Sequence, residues 1–265
     1  MICGRDWVFT LFTNDARLAA AAAAAGIERV GLDLEKFGKL DRQKGLGTRL
    51  SEHSIGEAAA VYASVPAEGR FARINPVNAD SKDEIEQIIA AGAKVLMLPY
   101  FHSVGEVEFF VNAVAGRAKT VGLAETLGSL AAIPEIVRPG LLNEVHFGFT
   151  DLGIAMRKDH WGVLRDQRLI AATEILRDLK MSFGVAGFAR PADKSLPFPP
   201  SAFIGAVAGL GASRALISRS FLRPVLKQDE LAKDLADLRA FLDRLSDAAS
   251  SSQLQKGVSA GAQSG

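Results

Sequence analysis

Short apolar runs recur along the chain, and each is followed by a longer segment of helical character. An uninterrupted apolar run of this length reads as a buried strand, and the longer segments read as helices. The runs predict strands at 7–12, 29–33, 71–74, 94–98, 119–123, 144–149, 181–187 and 214–218. Helices are expected at 15–25, 54–64, 81–91, 103–115, 127–137, 164–179 and 200–210, with a last one at about 227–248. Ser54/Glu57, Ser81/Glu84 and Ser103/Glu106 have the spacing of capping boxes, which satisfy the open amides of a helix start. Gly26, Gly92 and Gly211 stand where helices should end, because glycine accepts the left-handed conformation of a C-terminal cap.

Strands apolar throughout, such as 95–98, are buried on both faces, as in a parallel sheet. Eight β-then-α units in about 250 residues have the count and size of a (β/α)8 TIM barrel, a single α/β domain placed here at residues 1–248. A doubly wound open sheet is the alternative. It usually has fewer strands, and the first strand here leads into Thr13-Asn14-Asp15 rather than a glycine-rich dinucleotide loop. Residues 249–265, rich in serine, glycine, alanine and glutamine, are expected to be a disordered tail.

The charge balance narrows the partners. With 31 basic and 30 acidic residues, the net charge of +1 gives no footprint for nucleic acid. The alanine-rich run at 18–27 is too short and too weakly apolar to span a bilayer, and no signal peptide is evident. Cys3 is the single cysteine, so no internal disulfide can form, which fits a reducing compartment. A cytoplasmic enzyme with a small-molecule substrate, without nucleic-acid or membrane partners, is the expectation.

In such barrels the active site lies at the C-terminal ends of the strands. Polar residues stand there at Asp33 and Glu35, Arg73 and Asn75, Glu125, Asp151, and Ser218 to Ser220. Glu125 and Asp151 are one βα unit apart and project toward one mouth. As hard oxygen ligands they suit Mg2+ or Mn2+, although each could equally cap a helix or pair with an arginine. Arg73, in an apolar strand, needs a partner: an ion pair with Asp33 or Glu125, or a negatively charged substrate oxygen. Asp33 and Glu35 share a strand face; salt bridges to Lys36 or Lys39 are the structural alternative. Among the histidines, His53 and His102 can reach the mouth. His146 reads as a satisfied core residue, and His160 as part of a lid or an exposed side chain. No Cys/His cluster has zinc spacing, and no serine sits in a nucleophile elbow.

Several of these segments carry a resemblance. Leu32-Asp33-Leu34-Glu35, Ala72-Arg73-Ile74-Asn75, the run Ala91-Gly92-Ala93-Lys94-Val95-Leu96-Met97-Leu98-Pro99, Leu123-Ala124-Glu125-Thr126 and Gly148-Phe149-Thr150-Asp151-Leu152 resemble, in order and spacing, the HpcH/HpaI aldolase and citrate lyase β-subunit superfamily. The resemblance implies a barrel in which Glu125 and Asp151 hold Mg2+ or Mn2+. It implies that Arg73 contacts the keto or enolate oxygen of a pyruvate-like 2-oxo acid. Amides around Gly148, Thr150 and Asp151 would receive the substrate carboxylate. The implied activity is a metal-dependent carbon–carbon lyase acting on a 2-oxo acid with an aldehyde or acid co-substrate. The alternative is an acyl-CoA ester lyase or thioesterase of the citrate lyase type. Related barrels form trimers or hexamers, so a homo-oligomer is expected by analogy. The chain departs from the pattern at Lys36, where the aldolases carry histidine. That leaves His53 or a metal-activated water as the general base. The loop at 188–200, with Arg190 and Lys194, is expected to shape the substrate pocket.

Overall fold

The computed structural model describes residues 2–39, 51–137, 141–196, 198–223 and 227–261. Eight parallel strands close into a barrel in sequence order: β1 Val8–Phe12, β2 Arg29–Asp33, β3 Arg70–Arg73, β4 Val95–Leu98, β5 Lys119–Ala124, β6 Glu144–Phe147, β7 Phe183–Phe188 and β8 Arg214–Ile217. The last strand pairs with the first through Val8↔Arg214 and Thr10↔Leu216. All eight expected strands are present within two residues of their expected bounds.

Helices surround the sheet: α1 Ala16–Ala25, α2 Ala58–Tyr62, α3 Ser81–Ala90, α4 Val104–Val114, α5 Leu127–Ile136, α6 Phe149–Met156, α7 His160–Leu164, α8 Gln167–Asp178, α9 Pro200–Gly209 and α10 Gln228–Gly261. Gly26, Gly92 and Gly211 adopt φ of 93°, 107° and 98°, the left-handed caps their positions called for. Two of the three expected capping boxes form, at Ser54/Glu57 and Ser103/Glu106. The third does not. Ser81 lies inside α3 and accepts from the Asn78 amide, while Glu84 turns back to the amide and side chain of Asn75. A box the sequence reading missed, Thr126/Ser129, starts α5 directly after Glu125. None of the described helices is long and apolar enough to cross a membrane.

α10 continues to Gly261 instead of stopping near Ala248. Neither proline nor glycine interrupts residues 249–256, so nothing local ends the helix there. Residues 262–265 lie outside the described residues. The helix is tied to the barrel earlier, where Arg239 donates to the carbonyls of Gly4 and Gly26 and Asp243 accepts from the Gly4 amide.

The barrel interior is layered. Phe71, Val95, Met97, Val121, Leu123 and Leu216 form an apolar middle, separate from the core beneath the helices. Below it, Arg29 at the start of β2 makes a bidentate pair with Glu144 at the start of β6, at 2.6 and 2.7 Å. These strands are not neighbours, so the pair crosses the barrel floor. Arg214 and His146 flank Glu144 at 3.5 and 3.7 Å. The expectation that His146 is a satisfied core residue fails. It is buried, but neither ring nitrogen has a hydrogen-bond partner. Its Nε2 lies 3.7 Å from Glu144, beyond hydrogen-bonding distance.

Candidate active site at the barrel mouth

A cavity of about 1070 Å3 opens at the C-terminal ends of the strands. Asp33, Glu35, His53, Arg73, Glu125, Gly148, Thr150 and Asp151 all line it. These eight expected site residues are therefore brought to one chamber, as the C-terminal end of a parallel barrel allows, whereas Asn75 does not line it and is engaged with the amides of Lys36 and Phe37 and the side chain of Glu84.

Asp33 and Arg73 end adjacent strands in direct register. The Arg73 guanidinium donates from Nε and Nη2 to the two Asp33 oxygens, both at 2.8 Å, and Nη1 lies 3.2 Å from Glu35. Lys39 approaches Glu35 at 2.9 Å and Asp33 at 3.4 Å, and the Ser51 hydroxyl donates to Asp33 at 2.7 Å. Four charges thus cancel in a buried quartet, and the ion-pair partner of Arg73 is Asp33. Burial alone would raise the Asp33 carboxyl, but the charge and hydrogen bonds of Arg73 outweigh it and hold it well below the usual range. Burial likewise opposes charge on Arg73, and Asp33 and Glu35 overcome it and raise its pKa. Of the five N–H groups on a guanidinium, three face these carboxylates, and the other two have no partner among the described residues. The ring of Phe12 covers Arg73 at 5.0 Å.

Glu125 follows β5 and is 4% exposed. One of its oxygens accepts from the Tyr100 amide at 3.0 Å, a contact made possible by the left-handed backbone of Tyr100 (φ 50°). Its other oxygen faces Gly148 so closely that a Cβ there would lie 2.4 Å away. Asp151, 7% exposed, comes not from the end of a strand, as expected, but from the first turn of α6. β6 stops at Phe147, and Gly148 becomes the helix N-cap. Glycine brings no capping side chain. The amides of Phe149 and Thr150 accordingly keep no acceptor among the described residues, whereas that of Gly148 is used by the Ala124 carbonyl. Of the amides expected to receive a carboxylate, those of Phe149 and Thr150 are thus open among the described residues and that of Gly148 is not. A helix N-terminus of this kind favours an anion.

These residues fit a hard divalent ion. Glu125 and Asp151 supply two carboxylates to one chamber, and the Glu125 side chain packs on Gly148, the cap of the helix that carries Asp151. Among the described residues no group of three or more His, Cys, Asp or Glu could hold a metal. The remaining ligands would be water and substrate, as Mg2+ commonly prefers.

His53 lines the cavity, but its Nδ1 accepts the Asp33 amide at 2.9 Å. Burial pushes its pKa below the ordinary value, and Arg219 and Lys36 add to that against Asp33 and Glu57. A neutral imidazole has one lone pair. Here it is engaged by the Asp33 amide, so in this arrangement Nδ1 cannot also take a substrate proton. His102 is exposed and does not line the chamber. Arg190 and Lys194 do not line it either: Arg190 bonds Asp193 and the Phe221 carbonyl. The loop contributes Phe198 instead. Near it stand His160, Phe149 and Phe203, an aromatic group that sequence spacing gave no signal for.

The sequence matches no family model, and no curated protein matches it significantly. Solved structures do share its shape. Citrate synthase SbnG superimposes with a TM-score of 0.57 at 15% identity over 95% of each chain. RipC from Yersinia pestis gives 0.59 at 16% identity over 89% of this chain and 94% of that one. An HpcH/HpaI aldolase/citrate lyase family protein from Burkholderia cenocepacia J2315 gives 0.59 at 14% over 90% and 94%. At such identities the likeness is one of fold: a (β/α)8 barrel of the kind seen in HpcH/HpaI aldolase and citrate lyase structures.

Proposed function

We propose that the protein is a divalent-metal-dependent carbon–carbon lyase that forms or cleaves a bond to the enolate of a pyruvate-like 2-oxo acid. The observation that carries this reading is the convergence of Arg73, Glu125, Asp151 and the open amides of α6 on one chamber. Glu125 and Asp151 would hold Mg2+ or Mn2+, which when bound draws charge from the keto and carboxylate oxygens of the substrate. The Phe149 and Thr150 amides receive the carboxylate, aided by the positive end of the helix. A base removes the hydroxyl proton of the aldol substrate, the carbon–carbon bond breaks, the aldehyde leaves and the electron pair becomes the enolate. The two uncommitted N–H groups of Arg73 bind the developing oxyanion. Asp33 and Glu35 fix the guanidinium plane, so this stabilisation needs no reorganisation as charge develops. The resemblance of the strand-end segments to the aldolases supports the same assignment, and a cytoplasmic homo-oligomer goes with it by analogy.

Proton NMR of pyruvate in D2O tests the half-reaction. Methyl protons exchange with solvent when enzyme and Mg2+ or Mn2+ are present, and exchange stops in the Glu125→Gln protein. Absence of exchange with either ion overturns pyruvate as the substrate unit, in favour of another 2-oxo acid or an acyl-CoA ester.

A further inference from the structure

Two histidines line the chamber, and the lone pair of His53 is already engaged. The other is His160, the first residue of α7, held in place by its N-cap Asp159, which accepts the Gly162 amide at 2.7 Å. Its imidazole is enclosed by three phenyl rings. Phe149 and Phe198 meet it edge to face at 6.1 and 5.5 Å, and Phe203 lies tilted at 6.0 Å. Phe149 and Phe203 also pack on one another at 5.2 Å. Neither ring nitrogen of His160 has a hydrogen-bond partner among the described residues, and the ring borders the same cavity as Asp151 and Thr150. Phe149, which supports the imidazole, is the first residue of the helix that carries Asp151.

We propose that His160 is the general base for carbon–carbon cleavage, and that the phenyl wall around it receives an aryl-bearing aldehyde fragment. This rests on the lyase reading above and assigns to it a base and a co-substrate class. In the cleavage direction a ring nitrogen of His160 takes the proton of the substrate hydroxyl. The hydroxyl oxygen forms the carbonyl of the departing aldehyde, and the bonding pair passes to the enolate held at Arg73. In the reverse direction the same proton returns to the aldehyde oxygen. Phenyl rings pack favourably edge to face against aromatic partners, which suits an aryl group beside Phe198 and Phe203. Burial pushes the His160 pKa below its ordinary value against the opposing charge of Asp159, which favours the neutral ring that can accept a proton.

Two reactions that reach the same enolate separate this role from a structural one. The aldol adduct of pyruvate and benzaldehyde requires removal of a hydroxyl proton. Oxaloacetate gives the enolate by losing carbon dioxide, with no hydroxyl proton to remove. With Mg2+ present, the wild-type protein is expected to act on both, and to cleave the benzaldehyde adduct in preference to the acetaldehyde adduct. In His160→Gln and His160→Ala the ratio of adduct cleavage to decarboxylation should fall by about 10^2 or more, the usual contribution of a general base. Added imidazole should restore part of the cleavage in His160→Ala. An unchanged ratio in His160→Gln overturns the proposal, as does a wild-type protein that decarboxylates oxaloacetate but leaves the benzaldehyde adduct intact. A wild-type protein inactive in both reactions overturns the lyase reading itself, and the assignment of His160 with it.

Discussion

Gly148 lies against Glu125 so tightly that a Cβ on the glycine would sit 2.4 Å from the carboxylate Oε2 and 2.7 Å from the Glu125 Cβ. This contact joins the two arms of the candidate metal centre, because Gly148 is the cap of the helix that carries Asp151. Gly148→Ala should therefore displace Glu125. Overpacking of this kind typically costs about 1–3 kcal/mol. The expected result is a modest fall in Tm with a much larger fall in Mn2+ affinity, read by calorimetric titration. Wild-type affinity in the variant would remove Glu125 from the metal centre.

Arg73→Lys keeps the charge but loses the planar fork that meets both oxygens of Asp33. Losing one preorganised oxyanion donor costs on the order of 3 kcal/mol, so kcat/KM for enolate formation should fall by about 10^2 to 10^3. Steady-state kinetics on oxaloacetate measures it. A value near wild type would confine Arg73 to holding Asp33 and Glu35.

The Arg29–Glu144 pair on the barrel floor sets an acid limit on stability. Burial would raise the Glu144 carboxyl, but the hydrogen bonds and charge of Arg29, with a contribution from His146, hold it far below its ordinary value. A depressed carboxyl stabilises the fold above its unfolded pKa of about 4.3 and loses that stabilisation as pH falls toward the folded value. Tm should therefore change little between pH 7 and pH 5 on account of this pair and decline below about pH 4. Glu144→Gln should weaken the acid decline and, by leaving Arg29 buried without a counter-charge, cost roughly 3–5 kcal/mol at pH 7. Denaturant unfolding at pH 7 and pH 3.5 checks both.

Truncation after Ala248 should leave activity intact and shift Tm by no more than about 2 °C. The apolar anchors of α10, Leu231, Leu235, Leu238 and Leu242, all precede the cut, as do Arg239 and Asp243. A large loss on truncation would mean that the last turns of the helix pack against something, a second copy of the barrel being the obvious partner.

The sequence by itself determined the eightfold alternation and therefore the mouth at which Arg73, Glu125 and Asp151 meet. Apolar runs, caps and left-handed glycines are local features, and strand-end polar residues can only face that mouth once the sheet closes. Tertiary structure decided the partnerships. Nothing in the spacing distinguishes Asp33 from Glu125 as the partner of Arg73; the register of β2 against β3 does. Where β6 gives way to the next helix, Gly148 packs tightly on the Glu125 side chain, a contact that no local propensity records. Whether the Nδ1 lone pair of His53 is free depends on a single backbone amide, that of Asp33, held at the end of β2. The floor pair spans 115 residues of sequence, and the wall of Phe149, His160, Phe198 and Phe203 is gathered from separate segments. Such contacts form only when the barrel closes, because the residues that make them share no local element whose periodicity could announce them.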